Sequence, residues 1–213
     1  MHRLLKSIRE TFLARSFAQL ARTAEKTKSS IIISKEPIET PPLEIHTLGD
    51  KVLRQEARRI SKVNEETRDL AKDMLQSMYS AKGIGLAAPQ VGIHKQLLVI
   101  DLDLETPTTP PLVLINPEIT SSSATLDTYE EGCLSIPGVY LNVIRPSAIN
   151  LSYRDEMGRP KKMKADGLLA RCIQHEMDHL NGVLFVDLVN EQEDLSRALE
   201  EHGFDKKDVR IQS

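Results

Sequence analysis

The sequence lacks the features that define several protein classes. It has no tryptophan and only two cysteines among 213 residues. These two, Cys133 and Cys172, could in principle pair, but the reducing compartment that we expect for this chain disfavours a disulfide. No apolar run approaches the roughly 18 residues of a membrane span, and no segment resembles a cleavable secretory signal. We therefore expect neither a membrane-spanning protein nor a disulfide-rich secreted one.

A large excess of charge of one sign is also missing. The net charge is -3, with 28 Lys and Arg against 31 Asp and Glu. The local basic cluster around Lys161 and Lys162 fits the solvated end of a hairpin better than a nucleic-acid patch. Residues 190–202 have an acidic balance that disfavours a phosphate backbone. We expect no direct binding of nucleic acid, and a hydrophobic content of 40% allows one sizeable core.

Residues 1–42 differ in composition from the rest, with eight Lys and Arg against four Asp and Glu. Apolar residues recur there at helical spacing with basic residues between them, which predicts a basic amphipathic helix. An organelle transit peptide, a surface-binding tether and a mobile appendage all fit this pattern, and we favour the last. Residues 27–42 follow as a proline-containing linker. The helical positions are Leu4, Leu5, Ile8, Phe12, Leu13, Phe17 and Leu20.

The remaining chain predicts an α+β fold, in which antiparallel strands pack around a central metal-binding helix. The catalytic domain is expected over 43–190, followed by a C-terminal helix and tail over 191–213. A helix capped by Asn64 should end at Gly83, and a surface helix should cover 190–202. Apolar β-prone runs cover residues 96–101, 112–116, 139–144, 148–153, 161–164 and 183–189.

The segment Gln174–Leu180 (QHEMDHL) carries the strongest chemical signal. If residues 168–181 are helical, His175 and His179 stand one turn apart on one face, so both imidazoles can reach one cation. Glu176 projects beside them and can act as a base on water at the metal. Such a string can arise by chance in a charged helix, but the apolar residues around it predict a half-buried helix instead.

Cys133, about forty residues earlier, is the candidate third ligand, and we interpret Cys172 as a small core residue. Three protein ligands leave one position open for water, as in catalytic rather than structural zinc sites. That arrangement is typical of a hydrolase. A hydrolase acting on acyl groups also needs donors for an oxyanion. Gln90, at the end of a glycine-rich turn, and the backbone N–H of Leu134 are the candidates.

Three segments together resemble the motifs of the peptide deformylases, in order and spacing: Gly83–Gln90 (GIGLAAPQ), Glu131–Ser135 (EGCLS) and Gln174–Leu180. The resemblance covers roughly residues 43–190. It implies hydrolytic removal of formate from N-formyl-methionine on new polypeptides, with the ribosome as a possible place of encounter. It also implies one divalent ion per chain held by Cys133, His175 and His179. Fe²⁺ is implied by the family, with Zn²⁺, Ni²⁺ or Co²⁺ as alternatives.

The same resemblance implies roles for residues around the metal. Glu176 would move protons between water and the leaving amine, and Gln90 with the Leu134 amide would stabilise the oxyanion. Gly85 would contact the substrate through its backbone. The methionine side chain would enter a pocket formed by Ile84, Tyr129, Leu168 and Cys172.

One position departs from many bacterial members of the family. They carry an arginine seven residues after the metal cysteine, where this chain has Tyr140. The tyrosine resembles the plastid and cyanobacterial branch, which implies a cyanobacterial or other bacterial cytoplasm, or alternatively a plastid stroma.

Two other functions compete with this interpretation. Zinc endopeptidases with the H-E-x-x-H string place their third ligand downstream, as Glu or His, rather than upstream as Cys. A protein that keeps the metal only for structure would need neither Glu176 nor Gln90.

Overall fold

The computed structural model describes residue 31 and residues 33–210. These residues form two antiparallel sheets and three α-helices, so the predicted α+β fold is confirmed. The strands are β1 (Gly85–Ala87), β2 (Leu97–Ile100), β3 (Leu112–Ser122), β4 (Leu126–Cys133), β5 (Ile136–Pro146), β6 (Ala148–Arg154) and β7 (Pro160–Asp166). The helices are α1 (Glu65–Ser80), α2 (Gly167–Leu180) and α3 (Gln192–Glu201).

The larger sheet has the strand order β1-β2-β3-β6-β7 and lies between α1 and α2. Both faces of strand β2 are apolar because each face packs against a different helix. Leu97 and Val99 belong to the hydrophobic cluster of α1, whereas Leu98 and Ile100 belong to the cluster of α2. Alternate side chains of a strand point to opposite faces, so a run of four apolar residues can serve two helices.

Helix α1 begins where the sequence predicts. The Asn64 side chain accepts a hydrogen bond from the Thr67 backbone N–H at 3.0 Å, which satisfies a donor that the helix itself leaves unpaired. Its apolar face, with Met74, Leu75 and Met78, is fully buried. The helix ends at Ser80, three residues before Gly83.

Helix α2 carries His175 and His179. The position predicted for this helix is confirmed within one residue at each end. Leu169 and Ile173 are fully buried against the sheet. Gly182, just after the helix, has a φ of +71°, and an added Cβ there would lie 2.9 Å from the backbone oxygen of Arg54. A glycine is needed at this position because both the backbone conformation and the space exclude a side chain.

Strands β4 and β5 form a separate hairpin, whose turn lies between Cys133 and Ile136. The hairpin packs its buried residues Val139 and Val143 against Phe185, Leu195 and Leu199, the last two from α3. Helix α3 confirms the helix predicted over 190–202, although one of its faces is buried. None of the helices in the described part of the chain has both the length and the apolar character needed to cross a membrane.

The strand predicted over 183–189 is wrong. Residues Phe185–Leu188 form a 3-10 turn instead. The Asp187 carboxylate accepts a hydrogen bond from the Leu184 backbone N–H at 2.8 Å, and this contact closes the turn. Short apolar runs do not distinguish a strand from a buried turn, since both bury the same side chains.

The described part of the segment over 31–42 has no helix or strand, yet it packs on the domain. Ile31 is 2% exposed and belongs to the cluster of α1. Lys35 Nζ lies 2.7 Å from Asp101 Oδ2, and both side chains are buried. The basic amphipathic helix predicted near the N-terminus lies outside the described residues.

Candidate active site

Three side chains that the sequence singled out come together at one point. The ligand atoms of Cys133, His175 and His179 all lie within 4.8 Å of one another. Cys133 Sγ lies 3.3 Å from His179 Nε2. No other group of three or more potential metal ligands occurs among residue 31 and residues 33–210, and no fourth side chain of these residues joins the cluster.

The cluster is assembled from two elements with different geometry. His175 and His179 are one turn apart on α2, with ring centroids 5.2 Å apart. Cys133 is the last residue of β4, and the β4–β5 register shifts between Gly132 and Cys133. The extra residues, 137–139, belong to β5, so β4 keeps its alternation of side chains up to Cys133. The Ser135 backbone N–H then donates to Cys133 Sγ at 3.4 Å, which holds the sulfur toward α2.

Glu131 fixes the orientation of one of these histidines. Its Oε2 lies 2.9 Å from His175 Nδ1, so the other ring nitrogen, Nε2, is left for the cluster. Arg145 and Arg171 both donate to the same carboxylate, at 2.6 to 2.9 Å. Burial alone would raise the pKa of Glu131, but the hydrogen bonds from Arg145 and His175 outweigh it and hold the pKa well below its usual range.

The donor set suits a divalent transition metal. A thiolate and two imidazoles are the ligands that zinc, iron and related ions take in proteins. Burial holds the pKa of His179 well below its usual range, so this ring stays neutral. The neutral imidazole is the form that binds a metal. A carboxylate holding the far nitrogen of a ligand, as Glu131 does, is also typical of metal sites.

Glu176 lies beside the cluster with one oxygen unsatisfied. Its side chain is buried, and Oε2 has no hydrogen-bond partner among the described residues. Burial raises the pKa of Glu176 to about 7. A buried acceptor without a partner carries a cost, which water or a ligand at the site would relieve. The position therefore fits a group that exchanges a proton near neutral pH.

A glycine is needed at position 85 to leave room for the Glu176 carboxylate. An added Cβ at this position would lie 2.4 Å from Glu176 Oε1 and 2.8 Å from Cys172 Sγ. The backbone of β1 can approach the acid only because no side chain intervenes.

Gln90 points its amide nitrogen at the cluster. Its Oε1 accepts from the Ala87 backbone N–H at 2.8 Å, which fixes which end of the amide faces inward. Its Nε2 donates to Ser135 Oγ at 3.1 Å and lies 3.5 Å from Cys133 Sγ. Leu134 follows the cysteine, and its side chain packs against Gly83, where an added Cβ would lie 2.5 Å from Leu134 Cδ1.

A cavity of about 500 Å³ opens onto these residues. The cluster members Cys133 and His175 line it together with Glu176, whereas His179 lies deeper and is 1% exposed. All the remaining residues that the sequence and the resemblance assigned to a site also line this cavity: Ile84, Gly85, Gln90, Tyr129, Leu134, Leu168 and Cys172.

Four side chains of the site had no assigned role at the level of sequence. They are Glu131, Ser135, Arg145 and Arg171. Glu131 stands two residues before Cys133 on the same strand, so the two share a face. That spacing is the one signal that could have indicated Glu131. Nothing in the sequence pairs Arg145 or Arg171 with it.

Comparisons with known proteins agree on one family. The family model described as polypeptide deformylase matches residues 42–194. Peptide deformylase 2 of Prochlorococcus marinus (strain MIT 9313) is 77% identical over 93% of this chain and 98% of its own length. The peptide deformylase of Synechococcus sp. (strain CC9605) is 74% identical over the same shares.

Solved structures give the same result. A peptide deformylase from Synechococcus elongatus, in complex with actinonin, matches with a TM-score of 0.84 and 59% identity, over 85% of this chain and 98% of that one. A plant peptide deformylase matches with a TM-score of 0.69 and 37% identity, over 79% and 97%.

Proposed function

Because this chain belongs to the peptide deformylase family, in its cyanobacterial branch, and is thus a hydrolase that removes the N-formyl group from nascent polypeptides, we propose a mechanism built on the residues around Cys133. The observation that carries it is the position of Glu176 beside the three converging metal-ligand atoms, with a buried oxygen that has no partner among the described residues. The other residues of the cavity then take roles that depend on these two features.

Members of the family are metal-dependent, and we assign Cys133, His175 and His179 as the ligands. A divalent cation held there would supply Lewis-acid activation of water at neutral pH. Glu131 acts indirectly, since it keeps the His175 ring in the orientation that binds. The Arg145 and Arg171 guanidiniums keep the Glu131 carboxylate ionised and in place.

Glu176 transfers the protons. Its carboxylate accepts a proton from the attacking water and later gives it to the amine that leaves as the formyl C–N bond breaks. With a pKa raised by burial to about 7, the group exchanges protons readily in both directions. The carboxylate form of Glu176 is the form that accepts the first proton.

Two donors stabilise the negative charge on the former formyl oxygen. The Gln90 amide is held through its oxygen, and one Nε2–H donates to Ser135 Oγ, so the other Nε2–H is oriented before substrate arrives. The backbone N–H of Leu134 is the second donor. Gly85 contacts the peptide through its backbone.

The methionine side chain enters the part of the cavity lined by Ile84, Tyr129, Leu168 and Cys172. The pocket is largely apolar there, and an unbranched thioether fills such space without leaving polar groups unpaired.

The family resemblance supports Fe²⁺ as the metal, with Zn²⁺, Ni²⁺ and Co²⁺ as the alternatives to distinguish by metal analysis. The substrates are nascent N-formyl-methionyl chains, which the enzyme meets at the ribosome. The cyanobacterial relatives support the cytoplasm as the place of action.

Glu176→Gln tests the central assignment. The change keeps the shape of the side chain but removes the proton acceptor, so formate release from formyl-Met-Ala-Ser should fall by about 10² to 10⁴ fold. Metal content of protein purified without oxygen should not change, because Glu176 is not a ligand. Glu193→Gln, on the exposed side of α3, is the matched control. A Glu176→Gln protein with near wild-type turnover would show that another group is the base.

A further inference from the structure

Residues 33–43 are tied to the end of α1 that leads into the wall of the active-site cavity. The Ile38 backbone N–H donates to Ser80 Oγ at 3.1 Å, and the Leu43 backbone N–H donates to Ser77 Oγ at 3.0 Å. Residues 81–85, which follow directly after α1, all line the cavity. The segment before the catalytic domain is therefore attached next to the wall that receives the substrate.

Asp101 connects this segment to the cavity wall. It follows β2 and is fully buried. Its carboxylate accepts a hydrogen bond from Tyr79 Oη at 2.8 Å and lies 2.7 Å from Lys35 Nζ, which also donates to the Asp103 backbone oxygen at 2.6 Å. The Asp101 backbone N–H donates to the Ile84 backbone oxygen at 2.9 Å. One residue thus contacts Lys35 through its carboxylate and the cavity wall through its backbone.

Strand β1, which begins at Gly85, has little other support from the sheet. It has three residues, lies at the edge of the larger sheet and, among the described strands, pairs with β2 alone. The hydrogen bond from Asp101 to Ile84 extends this pairing by one residue beyond the pair of Gly85 and Ile100. Elements with few contacts are the ones that open locally, so this bond matters for the position of β1.

The ion pair of Lys35 and Asp101 is shielded from water. The two side chains are 6% and 0% exposed, respectively. Removing one member of a buried pair is strongly destabilising, because the other charge is left without compensation. A carboxylate at position 101 without its ammonium would draw in water or turn outward, and the backbone N–H of the same residue would move with it. Lys35 therefore controls how Asp101 holds the Ile84 backbone.

We propose that Lys35 is a positioning residue for substrate binding, which acts through Asp101 on the wall formed by Ile84 and Gly85. This inference rests on the proposed function, in which Ile84 lines the methionine pocket and Gly85 contacts the peptide through its backbone. Those contacts exist both before and during the reaction, whereas the metal ligands and Glu176 lie on α2 and β4. Loss of Lys35 should therefore raise KM and leave kcat nearly unchanged.

Lys35→Met tests the proposal in the full chain, because it keeps most of the side-chain length and removes the ammonium. KM for formyl-Met-Ala-Ser should rise about 3- to 10-fold, as expected when one or two hydrogen bonds to the substrate lose their alignment. Ser80→Ala removes the acceptor of the Ile38 N–H and should raise KM by a smaller factor. Should Lys35→Met not fold, Ser80→Ala decides the question by the same measurement.

Two control variants on α1 separate positioning from a general loss of stability or charge. Lys72→Met makes the same substitution at a lysine whose side chain is 45% exposed. Asn64→Ala weakens the opposite end of the same helix. Both should keep the wild-type KM.

Hydrogen exchange gives a readout that does not depend on activity. The Asp101 amide should exchange faster in Lys35→Met than in the wild type, and at the wild-type rate in Lys72→Met. A wild-type KM or an unchanged Asp101 exchange rate in Lys35→Met would overturn the inference, as would an equal rise of KM in Asn64→Ala. Absence of formate release from the wild-type chain would instead overturn the proposed function and, with it, this inference.

Discussion

The carboxylate of Glu131 connects the metal-ligand cluster to the rest of the protein. It is 5% exposed and contacts His175, Arg145 and Arg171 at once. Arg145 in turn donates to Asp178, one residue before His179 on α2. Both histidines are therefore tied, directly or through a neighbour, to one buried ionic network. Such networks are costly to break, since removing one member leaves the others buried without a partner.

Glu131→Gln should weaken metal binding without touching a ligand. The neutral amide is a poorer acceptor for His175 Nδ1–H, so metal affinity should fall about 10- to 100-fold. The two guanidiniums lose a negative partner, which should lower the free energy of unfolding by about 3 kcal/mol. A chelator competition and a urea titration measure the two effects. Glu118→Gln, at an exposed position of β3, is the control. Equal metal affinity in Glu131→Gln and wild type would contradict the positioning role.

The metal-ligand residues could be predicted from the sequence, but the residues that hold them in position could not. His175 and His179 are separated by one helical turn, and that spacing can be read directly from the sequence. Glu131 contacts His175 across 44 positions of sequence, and Arg171 joins it from α2. Contacts of this kind follow from how β4 packs on α2, which no local pattern records.

At the level of elements, helices were predicted better than strands. Both α1 and α2 have a full apolar face and a recognisable beginning or end. Strand β4, by contrast, alternates exposed and half-buried residues over most of its length, so no apolar run marks it. Strand β1 lies within the glycine-rich segment, which predicts a turn by composition. It becomes a strand only because β2 pairs with it.

The cap of α1 gives a prediction at this scale. Asn64→Ala leaves the Thr67 backbone N–H without its acceptor, so the free energy of unfolding should fall by about 1 kcal/mol. Formate release should stay unchanged, because α1 does not contribute a residue to the cluster. Asn190→Ala, at an exposed asparagine outside the helices, controls for the change of residue type. A loss as large in the control would argue against the cap.

At the scale of the whole molecule, residues 31–42 form the segment whose composition predicts the wrong structural role. Its prolines indicate a linker, yet Ile31 and Lys35 both reach buried positions. The Lys35 ammonium pairs with Asp101, which also accepts a hydrogen bond from Tyr79 at 2.8 Å. A chain without helix or strand can still contribute to the core when single residues along it find partners there.

Two truncated forms test this contribution. A chain of residues 43–213 should have a lower free energy of unfolding than a chain of residues 31–213, by about 2 to 5 kcal/mol. Burial of one isoleucine accounts for roughly 1.5–3 kcal/mol. A buried Asp101 that loses its ammonium adds roughly 1–3 kcal/mol, part of which the freed chain entropy offsets. Urea titrations of both forms measure the difference, and equal stabilities would show that the segment is a passive linker.

The two buried tyrosines, Tyr79 and Tyr153, make the stability of the domain depend on pH in the alkaline range. Burial, followed by the charge of Asp101, raises the pKa of Tyr79 well above its usual range, and burial, followed by Asp155 and Glu156, raises the pKa of Tyr153 to about 12. The unfolded chain releases these protons near pH 10, whereas the folded chain retains them. A folded pKa above the unfolded one means that the stabilisation is complete below pH 10 and is lost as pH rises.

The free energy of unfolding should therefore fall above pH 10, by at most about 1.4 kcal/mol per pH unit for each tyrosine. Lysines lose their charge in the same range, so the slope of the wild type alone does not identify the cause. Tyr79→Phe and Tyr153→Phe should each flatten the slope, because phenylalanine has no proton to lose. Tyr140→Phe, at a side chain that is 62% exposed, should leave it unchanged. If all three variants keep the wild-type slope in urea titrations between pH 9 and 11, lysine deprotonation rather than the buried phenols limits stability in alkali.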